Sequence, residues 1–186
     1  MRKLIVFHIL TLLAFAMVSC GNNGNTQSSN EEPLPEGYKT FDFNNFSISV
    51  PEEFTTSSEP ASDNVRFESE AMLKLDNGDE VSSSAYIDAS FMTGGAKPDD
   101  IKQTAAMLKS GQEAAGETCE EPVIDGNTIL MRHFYTSDDG EKVITWRWWI
   151  LSEDGKNVAG NIYFPESQEK FYGDVAKNIV KSIKIK

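Results

Sequence analysis

The sequence predicts an α+β domain built on an antiparallel β-sheet. Two observations carry this expectation. Residues 127–136, 142–152 and 157–164 alternate apolar and polar side chains, and Asp138-Asp139-Gly140 and Glu153-Asp154-Gly155 join them. A helical pattern stands on either side of this meander, one opening at Pro98-Asp99-Asp100 and one at Pro165-Glu166-Ser167. A period of two marks a strand with one buried face, and a period of 3.6 marks an amphipathic helix.

The elements follow in order. Phe46-Ser47-Ile48-Ser49-Val50 alternates and stops at Pro51, which predicts a half-buried strand. Residues 64–69 and 71–75 are weaker strand candidates, and Asp76-Asn77-Gly78-Asp79 is a turn. Residues 81–92 predict one strand with Val81, Ala85, Ile87, Ala89 and Phe91 on one side, ended by Thr93-Gly94-Gly95. In the first helix, Pro98 suits the opening turn, and Asp99 and Asp100 suit the positive end of the helix dipole. Its stripe of Ile101, Ala105, Leu108 and Gln112 is narrow, and Gly111 and Gly116 are places for it to end. The second helix carries Phe171, Tyr172, Val175, Ile179 and Val180, a strong apolar face that should dock on the sheet.

The two meander turns place Gly140 and Gly155 where a three-residue hairpin loop needs a left-handed residue. Ser137 should therefore face Glu141, and Ser152 should face Lys156. The turns lack the Asp-x-Asp-x-Asp-Gly spacing of a calcium loop, so their acids read as hairpin chemistry. This register sorts the side chains. One face holds Leu130, Phe134, Ile144, Trp146, Trp148, Ile150, Val158, Ile162 and Phe164, a core face. Arg132 is its polar member and should meet Trp146 in a cation–π contact. The other face holds Met131, His133, Thr145, Arg147, Trp149, Asn161 and Tyr163. His133 and Tyr163 flank Thr145, and Arg147 lies between Met131 and Asn161. His133, Thr145, Arg147, Asn161 and Tyr163 form the candidate ligand or partner site, since polar groups converge there beside aromatics. The plainer alternative is that the first helix covers part of this face and its polar groups bond internally.

The N-terminus predicts a location. Arg2 and Lys3 precede an apolar run over residues 4–18, too short to anchor a protein by spanning a bilayer. Met17-Val18-Ser19-Cys20 resembles the lipobox of bacterial lipoproteins, with Met17 in place of the usual Leu. The resemblance implies cleavage after residue 19, lipidation of the Cys20 sulfur and stable attachment through its acyl chains. Residues 20–37 then form the lipidated cysteine and a flexible tether, rich in Asn, Gly, Ser, Glu and Pro. Extended, the tether reaches on the order of 50 Å at ~3.3 Å per residue. Gly21 is not the Asp that retains some lipoproteins in the inner membrane, and no acidic run follows Cys20. The expected place is the outer membrane, facing the periplasm. Residues 38–186 form a single domain, long enough for its own core.

Composition excludes several function classes. The chain carries a net charge of −12, and loss of residues 1–19 removes two basic residues and no acid. Nucleic acid selects basic surfaces, so it is not an expected partner. Cys119 is the one cysteine besides Cys20, which leaves no internal disulfide once Cys20 is lipidated. Glu117, Glu120 and Glu121 oppose a Cys119 thiolate, so a structural role is expected. His133 is the one histidine besides His8, which leaves too few ligands for a His-rich or Cys/His zinc site. No Gly-x-Ser-x-Gly turn and no phosphate-cradling glycine loop is present. No catalytic residue, metal or cofactor is expected.

Three stretches resemble the PsbP-like family: Phe46-Ser47-Ile48-Ser49-Val50-Pro51-Glu52-Glu53-Phe54, Val123-Ile124-Asp125-Gly126, and Ile179-Val180-Lys181-Ser182-Ile183. The resemblance spans residues 41–185. Members often carry Trp soon after the Pro, where this chain has Phe54. The resemblance implies an antiparallel sheet with helices packed on both faces, a PsbP-like α/β/α sandwich. It also implies a non-catalytic role in binding or stabilising protein complexes, and several bacterial members are lipoproteins. The photosynthetic members' metal and photosystem contacts have no matching motif here. The expected function is a lipid-anchored protein-interaction module with an envelope protein as partner. The alternative is a small-molecule or glycan binder assisting transport, and a hydrolase using His133 or paired acids is a third.

Overall fold

The computed structural model describes residues 35–138 and 140–186, so the leader, Cys20 and most of the tether lie outside the described residues. Among the described residues, thirteen strands and three α-helices follow in order: β1 (Tyr38–Asp42), β2 (Phe46–Pro51), β3 (Phe54–Thr55), β4 (Asn64–Ser69), β5 (Met72–Lys74), β6 (Glu80–Ser82) and β7 (Tyr86–Met92). A short 3₁₀ turn then leads into α1 (Ile101–Ala114), β8 (Thr118–Cys119), β9 (Val123–Asp125), β10 (Thr128–Thr136), β11 (Lys142–Ile150) and β12 (Asn157–Pro165). The chain closes with α2 (Glu169–Tyr172), α3 (Val175–Ser182) and β13 (Lys184–Ile185).

The large sheet is antiparallel and runs β3-β4-β7-β12-β11-β10, with β8 and β9 sharing the outer edge of β10. A smaller sheet, β1-β2-β13, forms a second layer, and β5-β6 is a separate hairpin. The core lies between the inner face of the large sheet and the layer made by β2, α2 and α3. Phe46, Ile48, Val50, Ile87, Ile144, Trp148, Ile162, Phe164, Tyr172 and Ile179 meet there. α1 lies on the opposite face, so helices cover both sides of an α+β sandwich.

The meander register is the one the turns predict. Ser137 donates its backbone N–H to the Glu141 carbonyl at 2.8 Å, and the Ser152 hydroxyl reaches the Lys156 carbonyl. Gly140 and Gly155 adopt φ of 85° and 74°, which closes each loop. Trp148 faces Gly160 on β12. A Cβ at residue 160 would collide with the Asp88 carbonyl and the Trp148 ring, so the missing side chain lets the indole lie flat on the sheet.

Four local expectations change. β2 is buried along its whole length, not on one face, because it is the middle strand of the second sheet. Its polar side is satisfied inside: Ser49 donates its N–H to the Ser182 hydroxyl at 2.9 Å and shares a hydroxyl contact with Thr40 at 2.9 Å. Residues 81–92 break into β6 and β7. The break is held by Gln168, whose side chain accepts from the Ser84 N–H at 3.1 Å and donates to the Ser82 carbonyl at 3.4 Å. The C-terminal helix divides at Gly173-Asp174, both poor helix formers. The division turns Tyr172 inward, where its hydroxyl meets Ser69 at 2.9 Å and Ser83 at 2.7 Å. Arg132 does lie opposite Trp146, but its guanidinium pairs with Glu120 and with Glu169 at 2.9 Å. A charge only 14% exposed gains more from two carboxylates than from a ring face. Lys177 takes the place over Trp146, 5.6 Å from the ring centroid.

Candidate functional site

The outer face of the large sheet alternates with the core face along every strand. β10 contributes Met131, His133 and Tyr135, β11 contributes Thr145, Arg147 and Trp149, and β12 contributes Asn161 and Tyr163. The pairing places His133, Thr145 and Tyr163 in one row and Met131, Arg147 and Asn161 in the next. Both rows are those the hairpin register predicts. β7 and β4 extend them, with Tyr86 beside Tyr163 and with Asp88 between Asn161 and Arg66.

α1 divides this face. Thr104 and Ala105 are its buried residues, which confirms a narrow contact stripe. On this face His133 is 3% exposed and Thr145 is 7% exposed. His133 Nδ1 bonds the Glu117 carboxylate on the connection that follows α1. Its Nε2 is buried with no hydrogen-bond partner among the described residues. Burial lowers the His133 pKa, Glu117 acts against that, and the Arg147 charge adds to the lowering. The imidazole is therefore held neutral. The Gln112 amide, assigned from its surroundings, donates to Glu117 at 3.2 Å and accepts from Arg147. Cys119 faces His133 across β8-β10, and its thiol points to the Lys109 carbonyl at 3.9 Å. Burial, then Glu113 and Glu117, raise its pKa, against the pull of Lys109 and Arg147. Arg147 thus joins α1 to the sheet through Gln112, and His133 ties the sheet to the connection after α1 through Glu117.

Asn161 and Tyr163 stand on the half that α1 leaves open. Tyr86 and Tyr163 stack with centroids 5.2 Å apart and planes at 24°. Arg66 grips Asp88 with two bonds, Nε to Oδ1 at 2.7 Å and Nη2 to Oδ2 at 3.0 Å. The same guanidinium lies 5.8 Å from the Tyr86 ring centroid. The Asp88 bonds and charge raise the Arg66 pKa, so it stays cationic. Burial, then the Asp88 charge, raises the Tyr163 pKa, so its phenol stays neutral. A polar hollow of about 350 Å³, lined by Thr55, Thr56, Ser57, Ser58, Arg66 and Glu68, continues the surface at the sheet edge. The open half is a platform of two stacked rings, a doubly bonded ion pair and an amide.

The five predicted residues therefore form two groups, one closed and one open. Tyr86, Asp88 and Arg66 are the residues that sequence reasoning missed. The signal for Tyr86 and Asp88 was the polar phase of residues 86–92, complementary to the apolar phase of Ala85, Ile87, Ala89 and Phe91, and that for Arg66 was its place between Val65 and Phe67 in residues 64–69. Among the described residues, no group of three His, Cys, Asp or Glu side chains is placed to hold a metal ion. No helix among them is long and apolar enough to cross a membrane.

The fold is similar to that of solved structures. Saccharomyces cerevisiae Mog1p, described as a Ran-binding protein, superposes with a TM-score of 0.57 over 82% of this chain and 96% of its own, at 12% identity. A single-residue mutant of protein Mog1 gives a TM-score of 0.56 over 80% of this chain and 95% of its own, also at 12% identity. At such identity the likeness is one of fold. No protein-family model and no curated protein sequence matches the chain, so the PsbP-like resemblance stands at the level of the sandwich alone.

Proposed function

We propose that this chain is a non-catalytic, lipid-anchored interaction module of the cell envelope, which binds an envelope protein through the open half of its outer sheet face. The observation that carries the reading is the Tyr86–Tyr163 stack braced by the Arg66–Asp88 pair. Tyrosine and arginine held on a sheet by stacking and an ion pair provide contact area at low entropic cost, which is the composition of binding hot spots. The fold supports the same reading, since Mog1p, which shares it, is a Ran-binding protein. The anchor is Cys20 and its lipobox, the tether carries the domain away from the bilayer, and the expected site is the outer membrane facing the periplasm. A hydrolase working through His133 is disfavoured by its burial and its bond to Glu117.

The test is capture of the partner by the lipidated full chain. Tyr86→Ala with Tyr163→Ala should reduce capture at least tenfold while the melting temperature stays within a few degrees. Unchanged capture by the folded double variant rejects the face. Cys20→Ala should move the chain out of the membrane fraction, and retention there rejects the anchor. A small glycan that protects the wild type from thermal unfolding, and fails to protect the double variant, would favour the transport-linked alternative at the same platform.

A further inference from the structure

We propose that Cys119 and His133 together hold a soft monovalent metal ion of the copper(I) class, bridged between β8 and β10 at the sheet edge. The two residues are direct cross-strand partners. The Glu120 N–H donates to the Arg132 carbonyl at 2.9 Å, which makes Glu120 and Arg132 a hydrogen-bonded pair. Pair types alternate along an antiparallel ladder, so Cys119 and His133 are a non-hydrogen-bonded pair, the closer kind. Their Cβ atoms then stand about 4.5–5.5 Å apart on one face, within reach of one shared ion.

The imidazole is set up as a ligand. Glu117, two residues before Cys119, bonds His133 Nδ1 with its carboxylate. A carboxylate accepts, so Nδ1 carries the proton of the neutral ring and Nε2 keeps a lone pair. The bond also draws the ring toward the strand that carries Cys119. His133 is 3% exposed, and its Nε2 is buried with no hydrogen-bond partner among the described residues. A buried acceptor without a donor costs stability, and a bound cation removes that cost. A carboxylate on one ring nitrogen and a metal on the other is the usual arrangement of ligating histidines.

Coordination and charge select the ion. Thiolate sulfur favours soft cations such as copper(I) over magnesium or calcium. Two protein ligands leave a tetrahedral zinc ion half-coordinated, whereas copper(I) is content with two. The Cys119 thiol feels Glu113 and Glu117 on the acidic side and Lys109 and Arg147 on the basic side. As the sulfur–metal bond forms, the thiol proton leaves to solvent. A monovalent ion replaces that proton with no change in local charge. A divalent ion would add a positive charge beside Lys109 and Arg147 in a partly desolvated place. A hollow of about 550 Å³ lined in part by Glu117, Thr118 and Tyr135 reaches the Glu117 side of the pair and gives the ion a path. The Tyr86–Tyr163 platform lies on β7 and β12, so this site stands or falls separately from the protein-binding face.

The test is competition with bicinchoninate for copper(I) without oxygen. The protein is the full chain carrying Cys20→Ala, so that Cys119 is its one thiol. One copper(I) per chain, withdrawn from the chelator, is the expected result. Cys119→Ser and His133→Gln should each weaken binding at least tenfold in that background. Glu117→Gln should weaken it about tenfold, because the ring loses its orienting bond. X-ray absorption of the copper-loaded chain reads the ligands with Cys119 and His133 intact, and should show one sulfur and one imidazole nitrogen. No competition with the chelator, equal binding by Cys119→Ser, or copper held without an imidazole nitrogen would each overturn the proposal.

Discussion

Mild acid should weaken this fold through one side chain. His133 is 3% exposed, and burial holds its pKa below the ordinary imidazole value of 6.5. The unfolded chain takes up a proton near that value and the folded chain resists it. Linkage then gives stability that is full above pH 6.5 and declines as pH falls toward the folded-state pKa. With a folded imidazole fully neutral, the loss from pH 7 to 5.5 is roughly 1.2 kcal/mol at 1.36 kcal/mol per pKa unit. Glu117 favours the charged ring and Arg147 disfavours it, and with burial the net direction is down, so this figure is the ceiling. With a urea dependence of about 2 kcal/mol per M, the midpoint falls by up to ~0.6 M. His133 is the one histidine among the described residues, and carboxylates titrate mainly below this window. The assay is urea unfolding followed by tryptophan fluorescence at pH 7.0, 6.5, 6.0 and 5.5. His133→Gln should flatten the profile. A wild-type midpoint that holds or rises on acidification, or an equal fall in His133→Gln, would rule out His133 as the source of the acid sensitivity.

Three other outcomes follow from packing and charge. Gly160→Ala should cost about 3 kcal/mol, because its Cβ meets a strand carbonyl and the Trp148 ring, and chemical denaturation measures it. Cys119 should react with a disulfide reagent at pH 7.5 more slowly than a free thiol, by about tenfold, and react fully in urea, since burial and two glutamates raise its pKa. Arg132→Lys should lose about 1 kcal/mol, because an ammonium cannot bridge Glu120 and Glu169 as the guanidinium does, and the same denaturation assay reads it.

Local chemistry was legible in the chain. Gly140 and Gly155 fixed the two hairpin loops, the loops fixed the register, and the register sorted β10, β11 and β12 into two faces. The narrow stripe of α1 likewise foretold a helix that covers only part of a face. Long-range partners were not legible. Nothing local shows that β7 lies beside β12, so Tyr86 and Asp88 could not be placed with Tyr163 and Asn161. Arg132 was assigned to its cross-strand neighbour, Trp146, while its guanidinium pairs with Glu120 and with Glu169, the latter 37 residues away on α2. The second sheet escaped for the same reason, because β13 joins β2 from the far end of the chain. The alternation of residues 46–50 is compatible with one buried face, and only the neighbours β1 and β13 bury the other.

On the proposed reading, the open platform of Tyr86, Tyr163 and Arg66 meets an envelope protein. The most direct test places a photo-crosslinking amino acid at position 163 of the lipidated chain and, as control, at position 107, where Met107 is 67% exposed on α1. Illumination in cells should give one discrete protein adduct from position 163 and none from position 107. The same adduct from both positions, or none from 163 while the chain is folded and membrane-bound, would contradict it.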